Sequence, residues 1–373
     1  MKNATNNKKK KSSTTLKTII PLIVGAVCGV LGAAFVKKFV KKDVSLLLFL
    51  IFIVSLIVTY LLTTIIHEAG HLVFGLLSGY KFLSFRIGSL TLIKRNNKYE
   101  FKKFSIPGTA GQCLLAPPEN GDPQEIPFFL YHAGGGIFNL LSALIVLPIL
   151  LTVNNSTVKI VLGIFCVFSV FQGLCNLIPI KAQVPNDGYN LLMMIRKPSE
   201  RTAVYKSLLV NALLFKGSTP SQIAPENYEL GSEDFYKAVE PMLKGSALID
   251  SLDFEGAEKL FAQCAEDDTI PVYQLESRAE LMFCKIMNGA PAEEIDDIYD
   301  KELARYMSAA AKTLISKRRQ LYAYQLLHKH DTQAAEKEYQ AAMKLKDTYP
   351  IEGEVVSELK VINAVKAREE SLK

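Results

Sequence analysis

Three long stretches of the sequence carry almost no charge, and they limit the folds open to this chain. Residues 44–79 contain one charged side chain, Glu68. Residues 126–158 and 160–180 contain none. About 20 apolar residues suffice to cross a bilayer as a helix, so these stretches are predicted to be membrane spans. Residues 18–36, which are apolar and rich in Gly and Ala, form a further candidate, and the predicted fold class is a polytopic α-helical membrane protein with about four spans.

The two halves of the chain differ in charge. Residues 1–197 contain 21 Lys and Arg against 7 Asp and Glu, whereas residues 198–373 contain 22 against 30. The second half has amphipathic segments and no long apolar run, which predicts a soluble all-α domain. The predicted division is a basic cytoplasmic tail (1–17), a first span with its lysine-rich flank (18–43), a membrane core (44–195) and the soluble helical domain (196–373).

The basic residues also predict an orientation, because short loops rich in Lys and Arg stay in the cytoplasm. The N-terminal tail, residues 80–125 and the segment after Ile180 are basic, and the loop at 152–157 is uncharged. Lysines within residues 37–42 would then face outward, against this rule. The larger group of lysines in the N-terminal tail precedes them, and we let it set the orientation. We expect an integral, multi-pass protein of a bacterial cell membrane with both termini in the cytoplasm, and anionic lipid headgroups as the partner of the basic segments. Nucleic acid is not expected, since the basic patches lack interleaved aromatics.

Two further segments carry local patterns. Residues 82–104 alternate as strands do around Asn96 and Asn97, which predicts a small β-hairpin insertion in the core. The segments DFEGAEKLF, from Asp253, and DTQAAEKEY, from Asp331, share one spacing of small and aromatic residues. That spacing is typical of packed helical hairpins and resembles a degenerate tetratricopeptide array, although an ordinary helical bundle uses similar residues. Such repeats would bind a cytoplasmic protein partner.

The motif HEAGH at residues 67–71 lies inside an apolar stretch. Because residues four apart lie on one helical face, His67 and His71 can bind one zinc ion while Glu68 lies beside a water ligand. Zinc lowers the pKa of that water, and Glu68 can accept its proton and deliver it to a leaving amine. Chance occurrence explains such motifs in soluble helices, but buried Glu and His in a span are costly and indicate function.

Zinc needs a third protein ligand if one position is to stay open. Asp187 follows the last span, between Pro179, which ends a helix, and Gly188, which frees the backbone. This arrangement would let the carboxylate reach back into the membrane. An ordinary Asn-Asp-Gly turn is the alternative, and Asp122 and Glu125 remain competitors.

These residues together resemble the site-2 protease family of intramembrane zinc metalloproteases. The resemblance covers residues 44–195 and rests on HEAGH, the following β-like segment, and a later NLIP and DG. It implies that His67, His71 and Asp187 bind zinc and that Glu68 is the base. It also implies that Asn176, in NLIP, positions the scissile carbonyl.

The resemblance further implies a substrate-binding strand and a polar residue in the third span. An apolar segment containing Gly108 and Gly111 would pair with an extended substrate, and Asn139 would correspond to the Asn of the family's AGPxxN. The chain departs from the family at two points: the AGPxxN proline is absent, and the connection from Pro179 to Asp187 is longer. The expected function is hydrolysis of a peptide bond in or near a transmembrane segment or signal-peptide remnant. A catalytically silent membrane adaptor and a metal transporter are the alternatives.

Overall fold

The architecture is that of a computed structural model of the 373-residue chain. The structure describes residues 46–95, 97–106, 109–119, 122–181, 184–266 and 270–373. The predicted first span therefore lies outside the described residues, as does Gly108. The chain divides into two compact units. The described part of the first unit lies within residues 46–80, 110–113 and 127–197, and that of the second within 81–109, 114–126 and 198–373.

Three helices of the first unit are long and apolar enough to cross a membrane. They are α1 (Leu46–Leu77), α2 (Phe128–Thr152) and α3 (Ser156–Leu177), and the short helix α4 (Asp187–Arg196) follows them. The helices coincide with the three charge-poor stretches, so these three predicted spans are confirmed as helices that could cross a bilayer. Helix α1 is unbroken, and at about 1.5 Å per residue its 32 residues exceed a bilayer core of about 30 Å, so α1 tilts or protrudes.

The spans turn polar side chains inward and large apolar side chains outward. The buried hydroxyls of Ser55, Thr63 and Thr64 donate to backbone carbonyls one turn earlier on α1. On α2, by contrast, Leu144 and Ile145 are exposed. Lipid tails solvate apolar side chains but leave polar groups without partners, so this arrangement suits a bundle of helices in a membrane.

A hydrogen-bonded chain joins all three spans. Asn139 on α2 donates through Nδ2 to Oε1 of Gln172 on α3 at 3.3 Å, and Nε2 of Gln172 donates to Oγ1 of Thr64 on α1 at 3.4 Å. Close backbone approach accompanies it, since a Cβ at Gly173 would lie 3.0 Å from the carbonyl oxygen of Gly136. Small residues and polar ties thus set how closely these helices pack.

Four short strands form one sheet in the order β3-β2-β1-β4. They are β1 (Lys81–Ile87), β2 (Leu90–Arg95), β3 (Lys98–Lys103) and β4 (Gly111–Ala116). The predicted hairpin is confirmed for β2 and β3, where Arg95 opposes Lys98 and Asn97 has a positive φ. The prediction of one hairpin was wrong in its extent. Gly88, with φ 57°, permits a second tight turn, and β1 pairs with β2 across it.

The rest of the second unit is helical. Its helices are α5 (Pro198–Phe215), α6 (Tyr236–Asp250), α7 (Phe254–Glu266), α8 (Pro271–Asn288), α9 (Ala292–Ile298), α10 (Lys301–Ala310), α11 (Ile315–Ala323), α12 (Thr332–Lys346) and α13 (Glu352–Ser371). The sheet packs onto them: the ring centroids of Phe104 and Tyr349 are 5.0 Å apart, and Lys102 donates to the carbonyl of Asp347. Residues 81–109 and 114–126, which the sequence division assigns to the core, therefore group with this unit.

The two segments with matching spacing begin helices in the same register. Helix α7 packs on α8, and α12 packs on α11. The carboxylates of Asp253 and Asp331 each accept a backbone N–H three residues ahead at 2.9 Å, which caps α7 and α12. Ala257 and Ala335 occupy the same place after each cap, and both are buried. The tetratricopeptide assignment itself stays a prediction.

Candidate metal centre

The HEAGH motif lies near the end of α1, one turn and a half before the helix stops at Leu77. His67 and His71 are four residues apart, so their imidazoles project from one face of the helix. Both side chains are buried, and their Nε2 atoms lie 3.1 Å apart. The helix alone therefore brings the two predicted metal ligands together.

Asp187 completes the group from another part of the chain. Its Oδ2 atom lies 3.2 Å from Nε2 of His67 and 3.3 Å from Nε2 of His71. Among the described residues, these three side chains form the cluster of His, Cys, Asp and Glu that could hold a metal ion. The structure thus brings together the three residues that were predicted as ligands.

The separations of the three donor atoms fit one ion. Two ligands at about 2.0–2.1 Å from a tetrahedral ion lie roughly 3.3–3.4 Å from each other. The observed separations of 3.1, 3.2 and 3.3 Å are close to this value. Two imidazoles and one carboxylate also leave one of four positions open.

Asn186 explains how the long connection after Pro179 still delivers Asp187 to the site. Its Nδ2 donates to the carbonyl oxygens of Cys175 and Ile178 at 2.6 and 2.7 Å. Its Oδ1 accepts the N–H groups of Ile180 at 3.0 Å and Tyr189 at 2.9 Å. Asn186 therefore caps α4 and ties its start to the end of α3. The Asn-Asp-Gly turn and the ligand role of Asp187 are compatible.

Gly188 is required for the same return of the chain. A Cβ at Gly188 would lie 2.2 Å from the carbonyl oxygen of Leu177, a distance that no side chain tolerates. The start of α4 therefore packs directly on the backbone at the end of α3. This places the carboxylate of Asp187, the first residue of α4, beside the two imidazoles.

Tyr131 supports the site from α2, a role that the sequence did not reveal. Its carbonyl oxygen lies 2.7 Å from Nδ1 of His71. A proton on Nδ1 that is donated to this carbonyl leaves Nε2 free to bind a metal, which is how supporting residues fix histidine ligands. The hydroxyl of Tyr131 donates in turn to the carbonyl of Cys113 on β4 at 3.2 Å.

Glycines bring the backbones of α1 and α2 together at the HEAGH motif. A Cβ at Gly135 would lie 2.5 Å from both Cε1 of His67 and Nε2 of His71. A Cβ at Gly70 would lie 2.2 Å from the carbonyl oxygen of Gly134, so α1 and α2 touch at the motif. Gly134 and Gly135 thus let α2 pack closely on the part of α1 that carries the two histidines.

Glu68 lies beside the start of β4. It is 9% exposed, and a Cβ at Gly111 would lie 2.7 Å from its Oε1 atom. Only glycine at position 111 lets this strand run so close to the carboxylate. The sequence predicted a role for Gly111 in substrate binding, and the structure places it against the predicted base.

Asp187 is held in its ionised form. Burial of this carboxyl raises its pKa, but the neighbouring imidazoles of His71 and His67 outweigh burial, so the pKa lies well below its usual range. Nearby Cys113 shows the opposite effect: burial, followed by the negative charge of Glu68, raises the pKa of its thiol. The site therefore presents a carboxylate ligand and a protonated thiol.

Asn176 and Asn139, two further predicted site residues, form their hydrogen bonds away from His67, His71 and Asp187. Asn176 donates to the carbonyl of Gln172 within α3 at 3.0 Å. Asn139 is fully buried in the interhelical chain described above. Asp122 and Glu125, the competitors for the third ligand, are exposed and absent from the metal-binding cluster among the described residues.

Comparisons with protein-family models, with curated proteins and with solved structures found no match to this chain. The function is therefore inferred from the residues of the site and their geometry. Two histidines on an apolar helix that could cross a membrane and an aspartate on the following short helix α4 form a group that could hold a metal ion, a candidate metal centre.

Proposed function

We propose that this protein is an intramembrane zinc endopeptidase of the site-2 protease type. The observation that carries the proposal is the convergence of the buried His67 and His71 and the partly buried Asp187 on one point, with Glu68 next to His67 on the same helix. Two buried histidines beside a partly buried carboxylate, among apolar helices, are costly unless they serve a function. Binding of a metal ion would offset the free-energy cost of burying these groups.

Zinc, when bound, supplies a Lewis acid that lowers the pKa of a water ligand and polarises a carbonyl group. His67, His71 and Asp187 would hold it. The carbonyl of Tyr131 orients the ring of His71, and Gly135 leaves room for both rings. Asn186 keeps Asp187 in place by tying α4 to α3. These contacts preorganise the three ligands.

Glu68 is the proposed general base. A buried carboxylate within reach of the reacting water can accept its proton and pass it to the leaving amine. Gly111, against the Glu68 carboxylate, begins a strand at the end of the sheet order. A substrate helix must unwind before its amide bonds are accessible, and an edge strand offers hydrogen bonds to the extended segment.

The substrate proposed is a transmembrane segment or a signal-peptide remnant, cut near the cytoplasmic leaflet. Asn176 would give up its hydrogen bond to the carbonyl of Gln172 and donate to the scissile carbonyl instead. Asn139 would affect the packing of the spans through its hydrogen bond to Gln172. We place both termini in the cytoplasm of a bacterial cell, with the basic residues between 81 and 103 on the same side. The helices of residues 198–373 would recruit a protein partner or regulate access.

The test is zinc content and proteolysis by the purified full chain. Wild type should bind one zinc and cleave a single-span test substrate in detergent or vesicles. Glu68→Gln should keep zinc and lose at least about 100-fold in cleavage rate, because the amide cannot accept a proton. Glu125→Gln, an exposed acid of the same type, serves as the matched control and should cleave normally.

The outcomes separate the rival functions. Zinc binding without cleavage of any test substrate, together with capture of a protein by residues 198–373, would favour a silent adaptor. Uptake of zinc into vesicles, unaffected by Glu68→Gln, would favour a transporter. Full cleavage activity in Glu68→Gln would remove Glu68 from the mechanism.

A further inference from the structure

The sheet of the second unit has two unlike faces. Residues directly opposite each other in antiparallel strands project to the same side. Leu92 opposes both Phe85 and Phe101, and Lys94 opposes Tyr99. Pairing and alternation thus define one side, the open face, made of Phe85, Ile87, Leu90, Leu92, Lys94, Tyr99, Phe101 and Lys103.

The opposite side is covered by the rest of the unit. Ser84, Arg86, Thr91 and Ile93 project there, and all four are at most 3% exposed. The buried guanidinium of Arg86 donates to the carbonyl of Gly88 at 2.8 Å. This covered side follows the usual pattern of a sheet packed on a core.

The open face is apolar and exposed. Leu90 is 60% exposed, Tyr99 62% and Phe101 69%. The ring of Phe82, at the start of β1, lies 5.9 Å from that of Tyr99. A contiguous patch of this kind marks a surface that meets another molecule or a membrane.

Charge indicates which of these it meets. Lys94 and Lys103 flank the apolar side chains, and no acid lies on the open face. Residues 81–116 contain seven basic side chains and one acid, Glu100, which opposes Ile93 and therefore projects to the covered side. An apolar centre with a basic rim complements an anionic lipid surface, where aromatic rings occupy the headgroup level and each basic residue adds attraction.

Covalent connection places this surface near a bilayer. Only three residues lie between Leu77, the end of the span α1, and Lys81, the start of β1. A chain extends at most about 3.6 Å per residue, so β1 begins within roughly 14 Å of the end of the span. After β4, which ends at Ala116, the chain enters the second apolar helix, α2, at Phe128.

We propose that the open face is a membrane-docking surface. Leu90, Tyr99 and Phe101 enter the headgroup region of an anionic bilayer, while Lys94 and Lys103 contact lipid phosphates. The inference rests on the membrane-spanning helices and the sheet, and it is independent of peptide hydrolysis. It therefore has a readout other than protease activity.

The chain contains no tryptophan, so one introduced tryptophan reports on its own surroundings. Phe101→Trp in the full chain, in vesicles of phosphatidylcholine with phosphatidylglycerol, should emit at shorter wavelength than Val356→Trp. Val356 is exposed on α13 and serves as the matched control. Lipids with brominated acyl chains should quench Phe101→Trp and leave Val356→Trp unquenched. The triple variant Phe101→Trp, Lys94→Glu, Lys103→Glu should be quenched less by the brominated lipids than Phe101→Trp alone.

Emission and quenching of Phe101→Trp equal to those of Val356→Trp would overturn the proposal. A blue shift that bromolipids do not quench would also overturn the proposal if the shift fades when the protein is diluted into excess lipid. This result would mean that a second copy of the chain covers the open face. Tyr99→Trp repeats the measurement at a neighbouring position in case Phe101→Trp disturbs the fold. Both tryptophan variants should agree.

Discussion

The Nε2 atom of His67 lies 3.2 Å from Oδ2 of Asp187, although His67 is on the span α1 and Asp187 begins a short helix after the span α3. The motif on α1 supplies only two ligands. The third depends on the return of the chain after Pro179, which Asn186 holds in place. If these three residues bind a metal ion as proposed, the affinity for that ion will depend on the packing of α4 against α3.

Asp187→Ala is expected to lose both zinc and cleavage activity. Removal of one of three protein ligands weakens metal binding strongly, whereas loss of an exposed acid does not. Asp122→Ala and Glu125→Ala are the controls and should keep stoichiometric zinc. Metal analysis of the three purified variants checks this, and retention of zinc by Asp187→Ala with its loss from Asp122→Ala would transfer the ligand role to Asp122.

Gly135→Ala is expected to weaken zinc binding while the chain remains helical. The added Cβ would lie 2.5 Å from atoms of both histidines, so the rings must move. A displacement of ligands typically costs metal affinity on the order of 10–100-fold. Zinc titration against a competing chelator measures the loss. Ile145→Ala, exposed on the same helix, should bind zinc as wild type does, and equal affinities in both variants would contradict the close contact.

Arg319→Met is expected to destabilise the second unit by about 3–5 kcal/mol. Arg319 is 1% exposed, donates to Glu280 at 2.9 Å and to Glu358 at 2.7 Å, and lies over the ring of Phe283. Without the guanidinium, two largely buried carboxylates lose their cation. Thermal loss of helicity in the solubilised full chain should occur at lower temperature than in Arg305→Met, a variant at an exposed arginine. Equal midpoints would mean that the network adds no stability.

Glu354 is expected to make the stability of the second unit depend on pH. Burial raises its pKa to about 7, a hydrogen bond from Tyr349 opposes this, and the charge of Glu358 adds to it. In the unfolded chain the pKa is close to 4.5, so between these values the folded state binds a proton that the unfolded state lacks. The stability contributed by this group is therefore present below about pH 4.5 and is lost as the pH rises to about 7.

Glu354→Gln should remove this loss, because the amide does not titrate. We expect the difference in thermal unfolding midpoint, Glu354→Gln minus wild type, to increase as the pH rises from about 5 to about 8. Glu370→Gln, at an exposed position near the C-terminus, should show no such change. A constant difference between Glu354→Gln and wild type across this range would contradict the raised pKa of Glu354.

Local patterns predicted much of the fold. The charge-poor runs located α1, α2 and α3, because the length of a bilayer crossing is fixed by the helical rise. The spacing of two histidines predicted a ligand pair, since helical periodicity alone places them together. The matching segments after Asp253 and Asp331 predicted where α7 and α12 begin. Each of these features depends on residues that are close in sequence.

Tertiary structure decided the rest. The sequence left Asp187, Asp122 and Glu125 open as third ligands, and only the hydrogen bonds of Asn186 and the contact at Gly188 place Asp187 beside the histidines. The roles of Tyr131 and Gly135 likewise follow from the close approach of α2 to α1. Periodicity encodes which side chains share a face, whereas the partner of that face depends on packing between segments far apart in the chain, which no local pattern determines.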